Sequence, residues 1–106
     1  MSVLNLGAAV RIKEEIGIVM GFFISQVDNK IKPQYIVVPF PEGYKNARSL
    51  KIIDFDAVEP ISAGFSCEYS DNVVRGVEGI YAAGEHVSYE EFTKYVNEYV
   101  KKREEE

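Results

Sequence analysis

Ile16-Gly17-Ile18-Val19-Met20-Gly21-Phe22-Phe23-Ile24-Ser25-Gln26 is the run on which the fold turns. It is rich in β-branched and aromatic residues and almost unbroken in apolarity. That pattern predicts a long strand buried on both faces, crossing the centre of a small sheet or barrel. The apolar part falls short of the roughly 18–20 residues that a membrane span needs. Glycines inside a strand mark a bulge or a sharp bend. Gly17 and Gly21 therefore predict a strand that curves around a small core.

On the N-terminal side, Ala8 to Ile12 is short and apolar, and Lys13-Glu14-Glu15 supplies a hairpin connection into the long run. The opening residues carry neither a basic region nor a long apolar one, so no signal peptide is read there. On the C-terminal side, Asp28-Asn29-Lys30 has turn chemistry, and Tyr35 to Val38 reads as the next strand. Pro39 and Pro41 end it, because proline cannot donate to a ladder. Phe40-Pro41-Glu42-Gly43 matches a type I turn. Leu50 to Phe55 alternates, with Leu50 and Ile52 on one side and Lys51, Ile53 and Phe55 on the other. Val58 to Phe65 reads as a last strand, placed at an edge or a bulge by Pro60.

Ser88 followed by Glu91 is a capping box, and Val87 with Phe92 makes the hydrophobic staple. Tyr89, Phe92, Tyr95, Val96, Tyr99 and Val100 recur at helical spacing and form one apolar face, expected to pack on the sheet. Lys101, Lys102 and Arg103 suit the negative end of the helix dipole. Between sheet and helix, Asp71 to Glu85 leaves helix, hairpin and loop open, since Gly76 and Gly79 interrupt an otherwise helical spacing. The expected fold class is α+β. A small twisted antiparallel β-sheet, or a partly open SH3-like barrel, of about five strands precedes one C-terminal amphipathic helix. All of it forms one domain over 1–106, with the sheet in 1–70, an insertion in 71–87 and the helix in 88–103.

The chain has 106 residues, 46% of them apolar and 27% charged, the mix of an ordinary globular domain. Its formal net charge of −5 weighs against nucleic-acid binding, which rests on neutralising phosphates. Cys67 is the one cysteine. An internal disulfide is excluded, and a reducing, cytoplasmic setting is expected. A carboxylate near a thiol disfavours its thiolate, so Glu68 next in sequence counts against a nucleophilic Cys67. His86 is the one histidine. With no second nitrogen or thiolate ligand near it in sequence, a zinc site is not expected, and the residue is expected to be exposed. Asp54 and Asp56 could share a hard cation, but capping and solvation explain them better. No metal, cofactor or catalytic group is assigned. Lys30, Lys32, Lys45, Arg48 and Lys51 make the first half basic, and the acids from Asp54 to Glu85 make the second acidic. The reading is a patchy solvated surface, or one that steers a charged partner.

Without catalytic chemistry, attention moves to the surface. Phe40 and Tyr44 flank the Pro41-Glu42-Gly43 turn. Aromatic side chains on a pre-ordered turn bind at low entropic cost; the alternative is that Phe40 plugs the core beneath the turn.

Several stretches resemble one family. Leu4-Asn5-Leu6-Gly7-Ala8-Ala9-Val10 resembles its opening, and Gly17-Ile18-Val19-Met20-Gly21-Phe22 its second strand. Tyr35-Ile36-Val37-Val38-Pro39-Phe40-Pro41-Glu42-Gly43-Tyr44 resembles its most typical stretch, a tyrosine-bearing strand running into Pro-Glu-Gly. Phe55, Val58, Ile61 and Gly64-Phe65 resemble its close. The family is a small uncharacterised-domain family of Gram-positive bacteria, encoded beside type VII (ESX, WXG-type) secretion genes and LXG toxins. The resemblance spans Leu4 to Phe65. It departs at Val38 and Pro39, where a leucine or tyrosine lead-in is expected, and at the insertion from Asp71 to Val87. It implies a cytosolic, non-catalytic adaptor or chaperone that binds a secreted toxin. The partner-binding residues are then Tyr35, Phe40, Pro41, Glu42, Gly43 and Tyr44. The alternatives are an immunity protein that inhibits the toxin and a small-molecule-binding β-barrel. Neither nucleic acid nor membrane is an expected partner.

Overall fold

The computed structural model describes residues 3–27, 30–41, 50–64 and 84–105. Six strands and one helix follow in order: β1 (Ala9–Ile12), β2 (Glu15–Val27), β3 (Lys30–Pro39), β4 (Lys51–Asp54), β5 (Glu59–Pro60), β6 (Gly84–Val87) and α1 (Tyr89–Glu105). The strands form an antiparallel sheet in the order β4-β3-β2-β1-β5, with β6 also paired to β2. The sheet is open, because among the described residues no pairing joins β4 to β5. The fold is α+β, an open twisted sheet rather than a barrel.

The long run does sit at the centre. Along one edge β2 pairs with β3 over most of its length. Along the other it pairs first with β1, from Glu15 to Ile18, and then with β6, from Phe22 to Ser25. Two strands remote in sequence thus share one edge of β2. The register with β3 shifts between Val19 and Gly21, a bulge at the place where the interior glycine signals one.

Alternation along the strands divides the apolar residues between two faces. One face carries Val19, Phe22, Ile24, Tyr35, Val37, Phe55 and Val87, and these pack with Phe92 and Val96 of α1. Leu4, Leu6 and Ala8 of the N-terminal segment complete this core. Phe92 lies 4.9 Å from Phe22 and 5.1 Å from Tyr35, ring centre to ring centre, within the range where aromatic pairs add to simple burial. The opposite face carries Phe23, Ile36, Val38 and Leu50, with Ile18, Met20 and Ile52 beside them. The sorting of Leu50 and Ile52 to one face and Ile53 and Phe55 to the other follows the alternation read in the sequence. Burial of β2 on both faces follows its continuous apolarity.

The helix begins where the cap predicts. The Glu91 amide donates to Ser88 Oγ at 3.2 Å, and the Phe92 amide to the Ser88 carbonyl at 2.9 Å. Val87 and Phe92 are both buried in the helix-facing core. Tyr89, Tyr95 and Tyr99 pack against the same core, so the tyrosine face turns onto the sheet.

Three boundaries differ from the sequence reading by more than two residues. β3 starts at Lys30, five residues before the expected Tyr35: Lys30 to Gln34 carries little apolar alternation, and pairing with β2 extends the strand to the turn. The last strand expected over Val58 to Phe65 is reduced to Glu59–Pro60, paired to β1 at the sheet edge. Beyond it the chain turns at Gly64, whose φ is 84°. A Cβ at Gly64 would come within 2.5 Å of the Asn5 carbonyl oxygen, so that close approach needs glycine. Finally, the insertion expected over 71–87 ends in a strand, since Gly84–Val87 pairs with β2. Residues 71–83 lie outside the described residues.

Candidate functional site

The β2–β3 ladder carries the candidate surface at its end. Gly17 stands opposite Pro39, and the Phe40 amide donates to the Ile16 carbonyl at 3.0 Å. Directly opposite residues share a face of a sheet. Ile16 and Phe40 therefore form a side-by-side apolar pair, 40% and 59% exposed. They extend the face that carries Ile18 and Val38. Phe40 does not plug the core, as the alternative reading had it.

On the other face of the same strand ends, Lys51 of β4 bonds to Glu15 of β2. That cation holds the Glu15 carboxyl below its ordinary pKa, through the hydrogen bond first and its charge second. A depression of only about 10 Å³ lies on that face among Ile12, Glu15, Ile16, Gly17, Val37, Pro39 and Lys51.

The six expected partner-binding residues separate. Phe40 and Pro41 are exposed, joined by a cis peptide bond. Glu42, Gly43 and Tyr44 lie outside the described residues. Tyr35 must be corrected. Its ring is 2% exposed, in the helix-facing core, and its hydroxyl oxygen accepts the Leu4 amide hydrogen at 3.0 Å. Burial raises its pKa, opposed by the Leu4 bond. Position decides this: Tyr35 is odd-numbered on β3, like Val37, and Phe40 is even, like Ile36 and Val38, so the two rings point to opposite faces.

The acidic residues singled out in the sequence are occupied by cations of the chain itself. Asp54 accepts from Lys32 Nζ at 2.9 Å and from Gln34 Nε2 at 2.7 Å. Asp56 accepts from Arg103 Nη1 at 3.0 Å. Burial alone would raise the Asp54 pKa, but the two hydrogen bonds and the Lys32 charge bring it below the ordinary value. The basic first half is likewise divided. Lys32 faces Asp54, Lys51 faces Glu15, and Lys45 and Arg48 lie outside the described residues.

His86 is a second correction. The sequence predicts an exposed side chain ahead of the helix. It is half-buried on β6 opposite Phe23, with Nε2 enclosed near Gly21. The missed signal is the alternation Glu85-His86-Val87, which reads as a strand only once Gly84 is taken as its start. Cys67 lies outside the described residues. Among the described residues no group of three or more His, Cys, Asp or Glu side chains stands close enough to hold a metal ion. No helix among them is long and apolar enough to cross a membrane.

Comparison of the chain with protein-family models, curated proteins and solved structures finds no match in any of the three.

Proposed function

We propose that this chain is a non-catalytic protein-binding accessory, an adaptor or chaperone for a type VII secreted LXG toxin. The observation that supports it is the Ile16–Phe40 pair: a large aromatic ring, 59% exposed, held by a backbone hydrogen bond at the end of a central hairpin. An exposed aromatic on a rigid element loses little entropy on binding, and such residues dominate interfaces. The toxin itself enters through the resemblance of Leu4 to Phe65, and above all through the strand that runs into Pro41-Glu42-Gly43.

The test is co-expression with an LXG toxin encoded beside the gene, divided into its N-terminal targeting half and its C-terminal toxic half. An adaptor co-elutes with the N-terminal half on size-exclusion chromatography. Co-elution with the toxic half alone would make the chain an inhibitor, and separate elution from both would remove the proposal.

A further inference from the structure

A groove unrelated to the Phe40 surface opens at the other end of β3, about 30 Å away along the strand at roughly 3.3 Å per residue. It lies between the start of β3 and the last turns of α1, encloses about 380 Å³, and is lined by Lys30, Ile31, Tyr95, Glu98, Tyr99, Lys102 and Arg103. Its apolar part is Ile31, 45% exposed, and the rings of Tyr95 and Tyr99. The Tyr99 ring is fixed from behind by an edge-on contact with Phe55 at 5.5 Å. Lys32 Nζ and the Arg103 guanidinium stand 6.0 and 5.8 Å from its centre, so the ring is flanked by positive charge.

The distribution of charge selects the occupant. Two of the surrounding cations already have carboxylates: Lys32 has Asp54 and Arg103 has Asp56. Lys30 and Lys102 make no ion pair among the described residues. A chain of net charge −5 thus gathers four cations from two remote segments around one groove, part apolar and part charged, and leaves two of them without a carboxylate partner among the described residues. Carboxylates beside an apolar side chain complement that surface. A nucleic-acid strand fits less well. Glu98 lines the groove itself, and the depression that adjoins it along α1 is lined by Glu91 and Glu98 with Lys94 and Tyr95, which repels a continuous run of phosphates.

We propose that this groove binds a short acidic segment of a protein, with one aromatic or leucine side chain on Ile31 and Tyr99 and flanking carboxylates on Lys30 and Lys102. The inference shares with the proposed function only the premise that the partner is a protein; it uses none of the residues of the Ile16–Phe40 surface.

Two fluorescent hexapeptides test it, one alternating aspartate with phenylalanine and leucine, the other with asparagine in place of aspartate. Each is titrated to millimolar concentration into the full chain, with amide chemical shifts as the readout. The aspartate peptide is expected to shift the amides around Ile31 and Tyr99, and the asparagine peptide to bind several-fold more weakly, on the order of two exposed charge contacts. Lys30→Glu with Lys102→Glu should remove the preference for the aspartate peptide or reverse it, since like charges then face each other. Ile31→Ser should weaken both, and Phe40→Ala should change neither. These positions are exposed, and an unchanged far-UV spectrum shows that the variants fold. No shift with the aspartate peptide, equal binding of both peptides, or tighter binding of a thymidine oligonucleotide of equal charge would each overturn the proposal. So would a dimer that dissociates in the Lys102→Glu variant, since the groove would then hold the Glu104–Glu105 end of a second copy. Toxin binding through Phe40 would survive any of these results, and peptide binding would survive loss of the toxin interaction.

Discussion

The Tyr35 hydroxyl oxygen, accepting from Leu4 at 3.0 Å, ties the N-terminal segment to the centre of the sheet. Tyr35→Phe keeps the ring and removes the acceptor, leaving a buried amide unsatisfied. The expected loss is about 1–3 kcal/mol, read by urea unfolding, with faster hydrogen exchange at Leu4 than in β2. Lys13 opens the two-residue turn between Ile12 and Glu15 with φ at 57°, in the left-handed region. Lys13→Gly removes that strain and should stabilise the chain by about 0.5–1 kcal/mol; an unchanged or lowered unfolding midpoint would show that Lys13 makes a compensating interaction. Asp54 sets a pH dependence. Its folded pKa lies below its unfolded one, so its contribution is present above the unfolded value, about 3.9, and is lost as pH falls through the folded value. The pair is about one-third exposed, so the effect is under about 1 kcal/mol. Unfolding of Asp54→Asn should differ from the parent chain at pH 6, and the difference should shrink towards pH 3.

Much of each element can be read from its own residues. Ser88, Glu91 and the Val87–Phe92 staple place the start of α1 to the residue, because capping is a local interaction. Ser88→Ala should therefore cost about 1 kcal/mol, visible as a lower thermal midpoint with unchanged helix content at low temperature. The long β2 announces itself by composition, and its bulge by Gly21. Strand extents at the edges are harder to read, because they depend on partners. β5 is two residues long since only Val10 and Arg11 pair with it. β6 carries only the brief alternation Glu85-His86-Val87, too short to stand alone, and takes its form from pairing with the far half of β2. Gly84 lets it dock: a Cβ there would come within 2.3 Å of the Ile24 carbonyl oxygen. Tyr35 and Phe40 show the same limit for the site. Their aromatic character is plain in the sequence, but which face each occupies follows from the register of β3 on β2.

At the level of the molecule, the helix covers one face of the open sheet, and the end of the β2–β3 hairpin extends past that core with an apolar pair exposed. This division lets the surface be altered without loss of the fold. The measurement that tests the proposal most directly is calorimetric titration of the toxin's N-terminal half into the parent chain and into Phe40→Ala. Binding should weaken roughly 30-fold in the variant, the equivalent of about 2 kcal/mol for an interface anchor, at an unchanged unfolding midpoint. Equal affinity for both chains, or no heat of binding to either, would contradict it.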